Sequence, residues 1–293
     1  MKFKLVDAFN DKPLMGNPCA IIMDADMLSD KEMLAIAKEM NQSETAFLMK
    51  SKINDLKARY FTPEREIPLA GHPTIALIHA AIESGILEKP KIKTTLSLEL
   101  TEGPIRIDIE PYKKNTWLIH MFQRKPTFLK KHDPNEMAKL FNLKISDFMD
   151  NIPIQTVSTG TPMMMLPLKS KKALKKAKIN IDSYLKYRSK SDFFSPHFFI
   201  LQDESKDSTT FARQLGVPPD TTEDIFTGSA TGAMAAYLWK YELITQNKFI
   251  ARQGDWLNRP CHALVQAVGD IKSPLSIIIS GTAITVITGE INI

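Results

Sequence analysis

Apolar and polar residues alternate along much of the first half of the chain, a pattern typical of half-buried β-strands. Residues 3–9 alternate in this way, and residues 20–23 form a second apolar run after a turn-rich segment. Residues 92–100 and 105–109 also alternate, and the Glu102-Gly103-Pro104 turn separates them. These last two runs predict a β-hairpin or two neighbouring strands.

A helical pattern follows the second strand. Ser29 and Glu32 have the spacing of a capping box, in which each side chain satisfies a backbone N–H group at the helix start. The apolar residues that follow recur on one helical face, at Met33, Ile36, Ala37 and Met40. The helix is predicted to end near Asn41, which places Glu44 at the entrance of a strand over residues 44–49.

The second half of the chain has a similar mixture of helices and strands. A capped helix is predicted to open at Asp133, a strand covers residues 197–201, and a closing pair of strands lies around residues 281–287. No Gly/Ser linker or low-complexity segment divides the chain. The fold class is therefore predicted to be α+β, with a boundary between two halves near residue 116.

An internal repeat is the most informative feature of the sequence. The segment from Ala70 to Leu77 matches the segment from Thr227 to Met234, with Gly, Thr and Ala in register. Each copy opens a helix that is apolar nearly all round, over residues 74–82 and 231–239. Such helices are expected inside a sheet rather than on its surface. Each half is therefore predicted to enclose its own central helix.

The glycines of the repeat suggest a site for an anion. Glycine lets the backbone approach a ligand closely, and the N–H groups and positive dipole end of a helix favour a carboxylate or phosphate. Alternatively, each Gly-x-x-Thr is only a helix N-cap, because Thr is common at that position. The paired occurrence, with His72 and Ser229 at equivalent positions, favours the anion site.

Three residues near these motifs are candidates for carrying a proton: Glu44, His72 and Asp224. Glutamate is favoured, because a carboxyl group partly withdrawn from water has a raised pKa and can move a proton between carbons without a cofactor. Alternatives stay open for each residue. Glu44 is otherwise a surface or N-cap carboxylate, His72 a structural histidine and Asp224 a turn residue.

Composition and charge favour an ordinary globular protein. The chain has 293 residues, of which 43% are hydrophobic and 24% charged, far from the composition of disordered or collagenous proteins. The net charge of +5 owes much to six lysines within residues 169–178. These lysines are interpreted either as a nucleic-acid patch or as the solvated face of an amphipathic helix. Interleaved apolar residues favour the helix, so no nucleic-acid partner is predicted.

The cysteines and missing motifs narrow the chemistry further. Cys19 and Cys261 are the only cysteines, so neither a disulfide framework nor a Cys/His metal site is predicted, and a cytoplasmic location is expected. The N-terminus is predicted to be a strand rather than a signal peptide, and no apolar run reaches the ~18 residues of a membrane span. No nucleotide, flavin or metal motif is present, so no cofactor is predicted.

Several short motifs occur in a fixed order along nearly the whole chain. They are Val6-Asp7-Ala8-Phe9, Gly16-Asn17-Pro18, Asn41-Gln42-Ser43-Glu44-Thr45-Ala46-Phe47, Arg59-Tyr60-Phe61-Thr62-Pro63, Leu69-Ala70-Gly71-His72-Pro73-Thr74, Asp224-Ile225-Phe226-Thr227-Gly228-Ser229, Gln253-Gly254, Arg259-Pro260 and Gly281-Thr282-Ala283. In residues, order and spacing this set resembles the PhzF-like phenazine-biosynthesis family.

The resemblance implies a diaminopimelate-epimerase-like fold of two pseudo-symmetric halves, each a curved sheet or barrel around a central helix, with the active site in the cleft between them. The halves would be residues 1–116, completed by the C-terminal strand at about 283–293, and residues 117–282. Family members commonly form homodimers and use no cofactor.

The resemblance also implies a role for each candidate residue. Glu44 would be the general acid/base, and His72, Asp224 and Ser229 would shape the catalytic site by hydrogen bonds. The substrate carboxylate would bind at the two helix starts, formed by Gly71, His72, Gly228 and Ser229.

Two departures from related enzymes bear on the reaction. Related amino-acid epimerases and racemases use two cysteines just before the two glycines, whereas Ala70 and Thr227 occupy those positions here. A two-thiol mechanism is thereby excluded, and isomerisation by a carboxylate is favoured. Ile225-Phe226 replaces the more usual proline and small apolar residue, and this bulk would narrow the pocket.

The predicted function is thus a cofactor-independent isomerase that acts on a small substrate bearing a carboxylate, such as a cyclic amino acid. The trans-2,3-dihydro-3-hydroxyanthranilate isomerisation of the family's namesake is one hypothesis for the reaction. A non-catalytic module on the same fold, which binds a metabolite or a protein, is the alternative.

Overall fold

The chain folds into two compact units. A computed structural model describes residues 1–113, 115–201, 207–218 and 221–293. Unit 1 consists of Met1–Phe122, Asp255–Ala263 and Ile279–Ile293, and unit 2 consists of Gln123–Gly254 and Leu264–Ile278. Unit 1 includes Asp255–Ala263, a segment that the sequence analysis assigned to the second half. The reason is pairing within unit 1, where the Arg259 guanidinium donates to Asp7 Oδ1 at 2.7 Å.

Strands hold more residues than helices in both units, and the predicted α+β class is confirmed. The strands of unit 1 up to residue 122 are β1 Lys2–Ala8, β2 Asn17–Ile22, β3 Thr45–Met49, β4 Leu56–Phe61, β5 Glu66–Ile67, β6 Thr94–Glu99, β7 Ile105–Lys113 and β8 Thr116–Phe122. Those of unit 2 are β9 Thr127–His132, β10 Ile154–Ser158, β11 Pro162–Pro167, β12 Ser195–Leu201, β13 Thr210–Leu215, β14 Glu223–Asp224 and β15 Lys248–Gln253. The remaining strands are β16 Cys261–Val268 and β17 Ser276–Gly281, whose residues are divided between the units, and β18 Ala283–Glu290 of unit 1.

The helices are fewer. Unit 1 contains α1 Asp30–Met40 and α2 Gly71–Glu83, and unit 2 contains α3 Pro134–Leu140, α4 Lys171–Lys176, α5 Ile181–Arg188 and α6 Gly228–Lys240. Short 3₁₀ turns occur at Ala25–Met27, Ile145–Asp147 and Asp255–Leu257. Among the described residues, no helix combines the length and the apolar content that crossing a bilayer would require.

Local sequence signals predicted several of these elements. The capping box at the start of α1 is present, since the Ser29 hydroxyl accepts from the Glu32 N–H and the Glu32 carboxylate accepts from the Ser29 N–H. Asn41 ends the helix in the left-handed conformation, with φ of 49°, which Asn tolerates better than most residues. The predicted hairpin is also confirmed, because β6 pairs with β7 antiparallel.

The lysine-rich segment forms the predicted amphipathic helix α4. Ser170 caps its N-terminus. Ala173 and Leu174 are buried within unit 2, whereas the lysines are exposed. The Arg213 guanidinium donates to the carbonyl oxygen of Leu174 at 2.8 Å near the C-terminal end of the helix. This bond satisfies one of the carbonyl groups that a helix end leaves without an intrahelical partner.

The two units repeat the same order of strand pairings. In unit 1, β18, β1 and β2 pair antiparallel, β2 runs parallel to β3, β3 antiparallel to β4, and β4 parallel to β6. In unit 2, β9, β10 and β11 pair antiparallel, β11 runs parallel to β12, β12 antiparallel to β13, and β13 parallel to β15. The short strands β5 and β14 pair antiparallel with β4 and β13 respectively. The sequence repeat is therefore part of a structural repeat.

Each unit encloses the central helix that the repeat predicts. In α2 every residue from Gly71 to Ile82 is buried, and the helix packs against β1, β2, β3, β8 and β18. In α6 every residue from Gly228 to Trp239 is buried, and the helix packs against β10 and β11. Burial all round explains why neither helix shows a polar face in the sequence.

Candidate functional site

The predicted site residues lie at the starts of the two central helices and on the strands beside them. In unit 1 the structure brings together Glu44, Gly71 and His72. In unit 2, Asp224 ends β14, and Gly228 and Ser229 begin α6.

Glu44 and His72 form a close pair of titratable side chains in unit 1. Glu44 immediately precedes β3, as predicted, and His72 is the second residue of α2. Glu44 Oε2 lies 3.4 Å from His72 Nε2, and the two side chains are 21% and 4% exposed. The carboxylate is thus partly withdrawn from water yet reachable from it. A general acid/base needs this combination, because it must contact the substrate while bulk water is kept away.

Asn17 is a site residue that the sequence analysis did not select, although its motif was noted. It is the first residue of β2, and its amide nitrogen lies 3.1 Å from His72 Nδ1 in a buried hydrogen bond. Asn17, His72 and Glu44 therefore form a line of polar contacts through the imidazole ring. The only sequence signal was the Gly-Asn-Pro turn before an apolar strand.

Neither cysteine has the properties of a thiol base. Both are buried and form no disulfide. Burial, and next the nearby Glu44 charge, raise the pKa of the Cys19 thiol well above its usual value, so Cys19 stays protonated at neutral pH. In the part of the chain that the structure describes, no three His, Cys, Asp or Glu side chains are arranged to hold a metal ion.

Both central helices begin at glycine, three residues earlier than the apolar pattern indicated. Ala70 and Thr227 occupy the N-cap positions, and neither side chain caps its helix. The interpretation of Thr74 and Thr231 as N-caps is therefore wrong. Each hydroxyl instead donates to the carbonyl oxygen four residues earlier, at 2.6 Å in α2 and 2.9 Å in α6. Without a capping side chain, the first-turn amides are suited to an anion.

Asp224 in unit 2 belongs to a hydrogen-bonded corner beside α6. The Thr227 hydroxyl donates to Asp224 Oδ2 at 2.5 Å, and the Gln253 amide nitrogen donates to the Asp224 carbonyl at 2.9 Å. Asp224 is thus held by side chains from the helix start and from β15. The Thr227 bond orients the Asp224 carboxylate, and the Gln253 bond holds the Asp224 backbone.

Ser229 is the second residue of α6 and is 9% exposed. Gln123 lies over this helix start, and its amide nitrogen donates to the Gly228 carbonyl at 2.9 Å. The Thr159 hydroxyl donates to Gln123 Oε1 at 2.6 Å. A Cβ at Gly232 would overlap that amide, so the second glycine of α6 makes room for Gln123. Phe226, predicted to narrow the pocket, is fully buried.

Strand registers show which residues of the two units are equivalent. The matching rows across three strands are Ala46–Tyr60–Ile67 in unit 1 and His197–Gln214–Asp224 in unit 2. Glu44 lies two residues before the first member of its row, and Ser195 lies two residues before the first member of the other row, so these two residues are equivalent. His72 and Ser229 are equivalent too, because each lies five residues after the last member of its row. Unit 2 carries a hydroxyl where unit 1 carries the glutamate. The repeat is structurally symmetric but chemically asymmetric.

Gly16 is predicted to tolerate no side chain, because a Cβ there would overlap the Ala8 carbonyl oxygen. Backbone atoms cannot move aside as the end of a flexible side chain can. Gly16→Ala is therefore expected to destabilise the protein by about 1–3 kcal/mol, the usual range for overpacking. Urea denaturation measures the change. An unchanged unfolding midpoint would show that the turn before Asn17 relaxes easily.

The comparisons with known proteins agree with this architecture. The model of the phenazine biosynthesis-like protein family (PhzC-PhzF) matches residues 6–289. A PhzF-family protein of Bacillus anthracis has a crystal structure that is 31% identical, with a TM-score of 0.88, 100% of this chain covered and 99% of the other. A hydroxyproline epimerase of Agrobacterium vitis, 12% identical with a TM-score of 0.69 over 99% of this chain and 91% of its own, shares the fold alone. The predicted diaminopimelate-epimerase-like fold is thus confirmed.

A relative that is named for its reaction indicates the class of enzyme. The trans-2,3-dihydro-3-hydroxyanthranilate isomerase of Pseudomonas aeruginosa is 31% identical over 284 residues, which cover 96% of this chain and 95% of the relative. The predicted reaction class is confirmed at this level. The chain belongs to the phenazine biosynthesis-like protein family and is an isomerase.

Proposed function

We propose that the protein moves a proton within a small substrate that bears a carboxylate, and that Glu44 is the general acid/base. The main observation behind this proposal is the partly buried Glu44 carboxylate beside the buried His72 ring, with Glu44 Oε2 and His72 Nε2 3.4 Å apart. Its equivalent in unit 2 is Ser195, a hydroxyl of far weaker basicity. The proposal therefore assigns the transfer to one carboxylate rather than to a symmetric pair of bases.

The proposed isomerisation needs no reactant other than the substrate. Glu44 takes a proton from an sp³ carbon of the substrate, and the electrons of the broken C–H bond form a new double bond as the old one shifts. The protonated Glu44 then gives a proton to a different carbon, either the one it removed or one exchanged with solvent at its 21% exposed side chain. General acid/base catalysis of this kind contributes about 10²–10⁴-fold to a rate. His72 Nε2 lies 3.4 Å from the carboxylate and is proposed to donate to it and set its direction.

The helix starts are proposed to bind the substrate carboxylate. Gly71 and Gly228 are the first residues of α2 and α6, where no side chain caps the first turn. Backbone N–H groups and the positive dipole end favour an anion at such a place. Asp224 and Ser229 are proposed as further hydrogen-bonding groups, with Asp224 held in place by Thr227. A homodimer and a cytoplasmic location stay predictions.

The proposal is tested by following the ultraviolet spectrum of trans-2,3-dihydro-3-hydroxyanthranilate, the compound named for the relative from Pseudomonas aeruginosa. Conversion by the wild-type protein, but not by Glu44→Gln, would support both the reaction and the base. If the spectrum does not change, small cyclic amino acids are incubated in D₂O and analysed by mass spectrometry for deuterium gained at carbon. Compounds that raise the melting temperature but give neither an isomerised product nor deuterium at carbon would contradict catalysis and favour a metabolite-binding module.

A further inference from the structure

The Asn17 amide and the His72 ring meet inside unit 1. Both residues are buried, with exposures of 1% and 3%, and Asn17 Nδ2 lies 3.1 Å from His72 Nδ1. The two residues come from different elements, the start of β2 and the first turn of α2. The contact is therefore set by the tertiary fold and not by a local turn.

The backbone carbonyl just before Asn17 is held by Arg259, which is itself paired with Asp7. The Arg259 guanidinium donates through Nε to the Gly16 carbonyl at 2.8 Å, and through Nη2 to Asp7 Oδ1 at 2.7 Å. Asp7 is itself buried. A side chain carried by so constrained a backbone loses little entropy when it forms a hydrogen bond, and it can direct its partner precisely.

The chemistry of the two groups decides which imidazole nitrogen carries the proton. An amide nitrogen only donates hydrogen bonds, so the Nδ1 atom that faces it must be the unprotonated acceptor. The ring proton then lies on Nε2, the nitrogen that is 3.4 Å from Glu44 Oε2. In this tautomer His72 presents an N–H donor to the Glu44 carboxylate.

We propose that Asn17 is a positioning residue that holds His72 in the neutral Nε2–H tautomer, so that Glu44 alone carries the transferred proton. The inference rests on the proposed function of Glu44. A second proton on Nδ1 would turn the acceptor into a donor that faces another donor, and the buried bond to Asn17 would be lost. His72 therefore donates to the carboxylate without taking the proton from it.

Selective ¹⁵N labelling of histidine tests the tautomer directly. Spectra at pH 7.5 distinguish a protonated from an unprotonated ring nitrogen, and a His72→Gln sample assigns the His72 signals. We expect an unprotonated Nδ1 and a protonated Nε2 in the wild-type protein. A protonated Nδ1 would overturn the proposal, because Asn17 would then present its carbonyl oxygen to the ring. This readout needs no substrate, so it stands or falls separately from the proposed reaction.

The variant Asn17→Asp supplies the kinetic test, because aspartate has nearly the same shape but only accepts hydrogen bonds. It is expected to protonate Nδ1 and produce an imidazolium ring beside Glu44. With a substrate that the wild type converts, kcat should fall at least about tenfold, a larger change than that in KM, because the altered imidazole ring lies beside the Glu44 base while both helix starts keep their backbone N–H groups. Asn247→Asp, an exposed change of the same charge, should leave both spectrum and kcat unaltered. A neutral Nε2–H ring in Asn17→Asp would overturn the proposal.

Discussion

Glu44→Gln is expected to lower kcat by about a thousandfold, within the range that general acid/base groups contribute. The glutamine side chain has nearly the same shape and keeps an oxygen that can accept from His72 Nε2. It cannot take up a proton at neutral pH. The free energy of unfolding should therefore change by less than about 1 kcal/mol, since no cavity is made and no buried charge is left. The measurement combines initial rates with urea denaturation of the same preparations.

A nearby exposed glutamate provides a matched control for this variant. Glu39 is exposed near the end of α1, and Glu39→Gln removes the same charge without touching the site. We expect its kcat to equal that of the wild type. Full activity in Glu44→Gln would contradict the assignment of the base, whereas equal losses in both variants would indicate an effect of net charge.

Acidification is expected to lower the stability of the protein already between pH 6.5 and pH 5, before most carboxylates take up protons. Three of the buried histidines, namely His79, His132 and His197, account for this expectation. Burial lowers the pKa of each from 6.5 to about 4. The unfolded chain takes up protons at these sites below pH 6.5, while the folded protein resists them until about pH 4. Stability is thus highest above pH 6.5 and falls as the pH falls towards 4.

The size of the expected loss of stability follows from how far the histidine pKa values are lowered. Each histidine is expected to remove roughly 2 kcal/mol from the free energy of unfolding between pH 7.5 and pH 5.0. Urea denaturation at half-unit intervals of pH measures it. A free energy that is constant over this range would show that the three rings titrate normally in the folded protein.

His79→Leu separates the histidine effect from other titrations. His79 lies in α2, packs against Trp117 with ring centroids 5.4 Å apart, and has no hydrogen-bond partner for Nδ1 among the described residues. Leucine of similar volume removes this buried polar atom, so the variant should be at least as stable as the wild type at pH 7.5. Unfolding of the variant should take up about one proton fewer, so its free energy of unfolding should change less steeply with pH, by roughly 1.4 kcal/mol per pH unit.

Local chemistry in the sequence determined much of the secondary structure. The Ser29/Glu32 capping box, the stop at Asn41 and the β6–β7 hairpin depend on residues that are close along the chain, so their patterns alone predict them. The Gly-x-x-Thr repeat likewise predicted two central helices. The predicted starts were three residues late, because the apolar runs begin at Thr74 and Thr231 while the helices begin at Gly71 and Gly228.

Contacts between distant segments were decided only by the tertiary structure. Asn17 and His72 are 55 residues apart, and Arg259 reaches Asp7 across 252 residues, so no local pattern records either contact. The equivalence of Glu44 and Ser195 became visible only through strand registers, since the residues around them share no obvious motif. The sequence by itself determined the family, the helices and the candidate carboxylate, because these depend on residue type and short spacing. The contacts on which the proposed His72 tautomer and the proposed single base depend come from long-range pairing, which side-chain pattern alone does not specify.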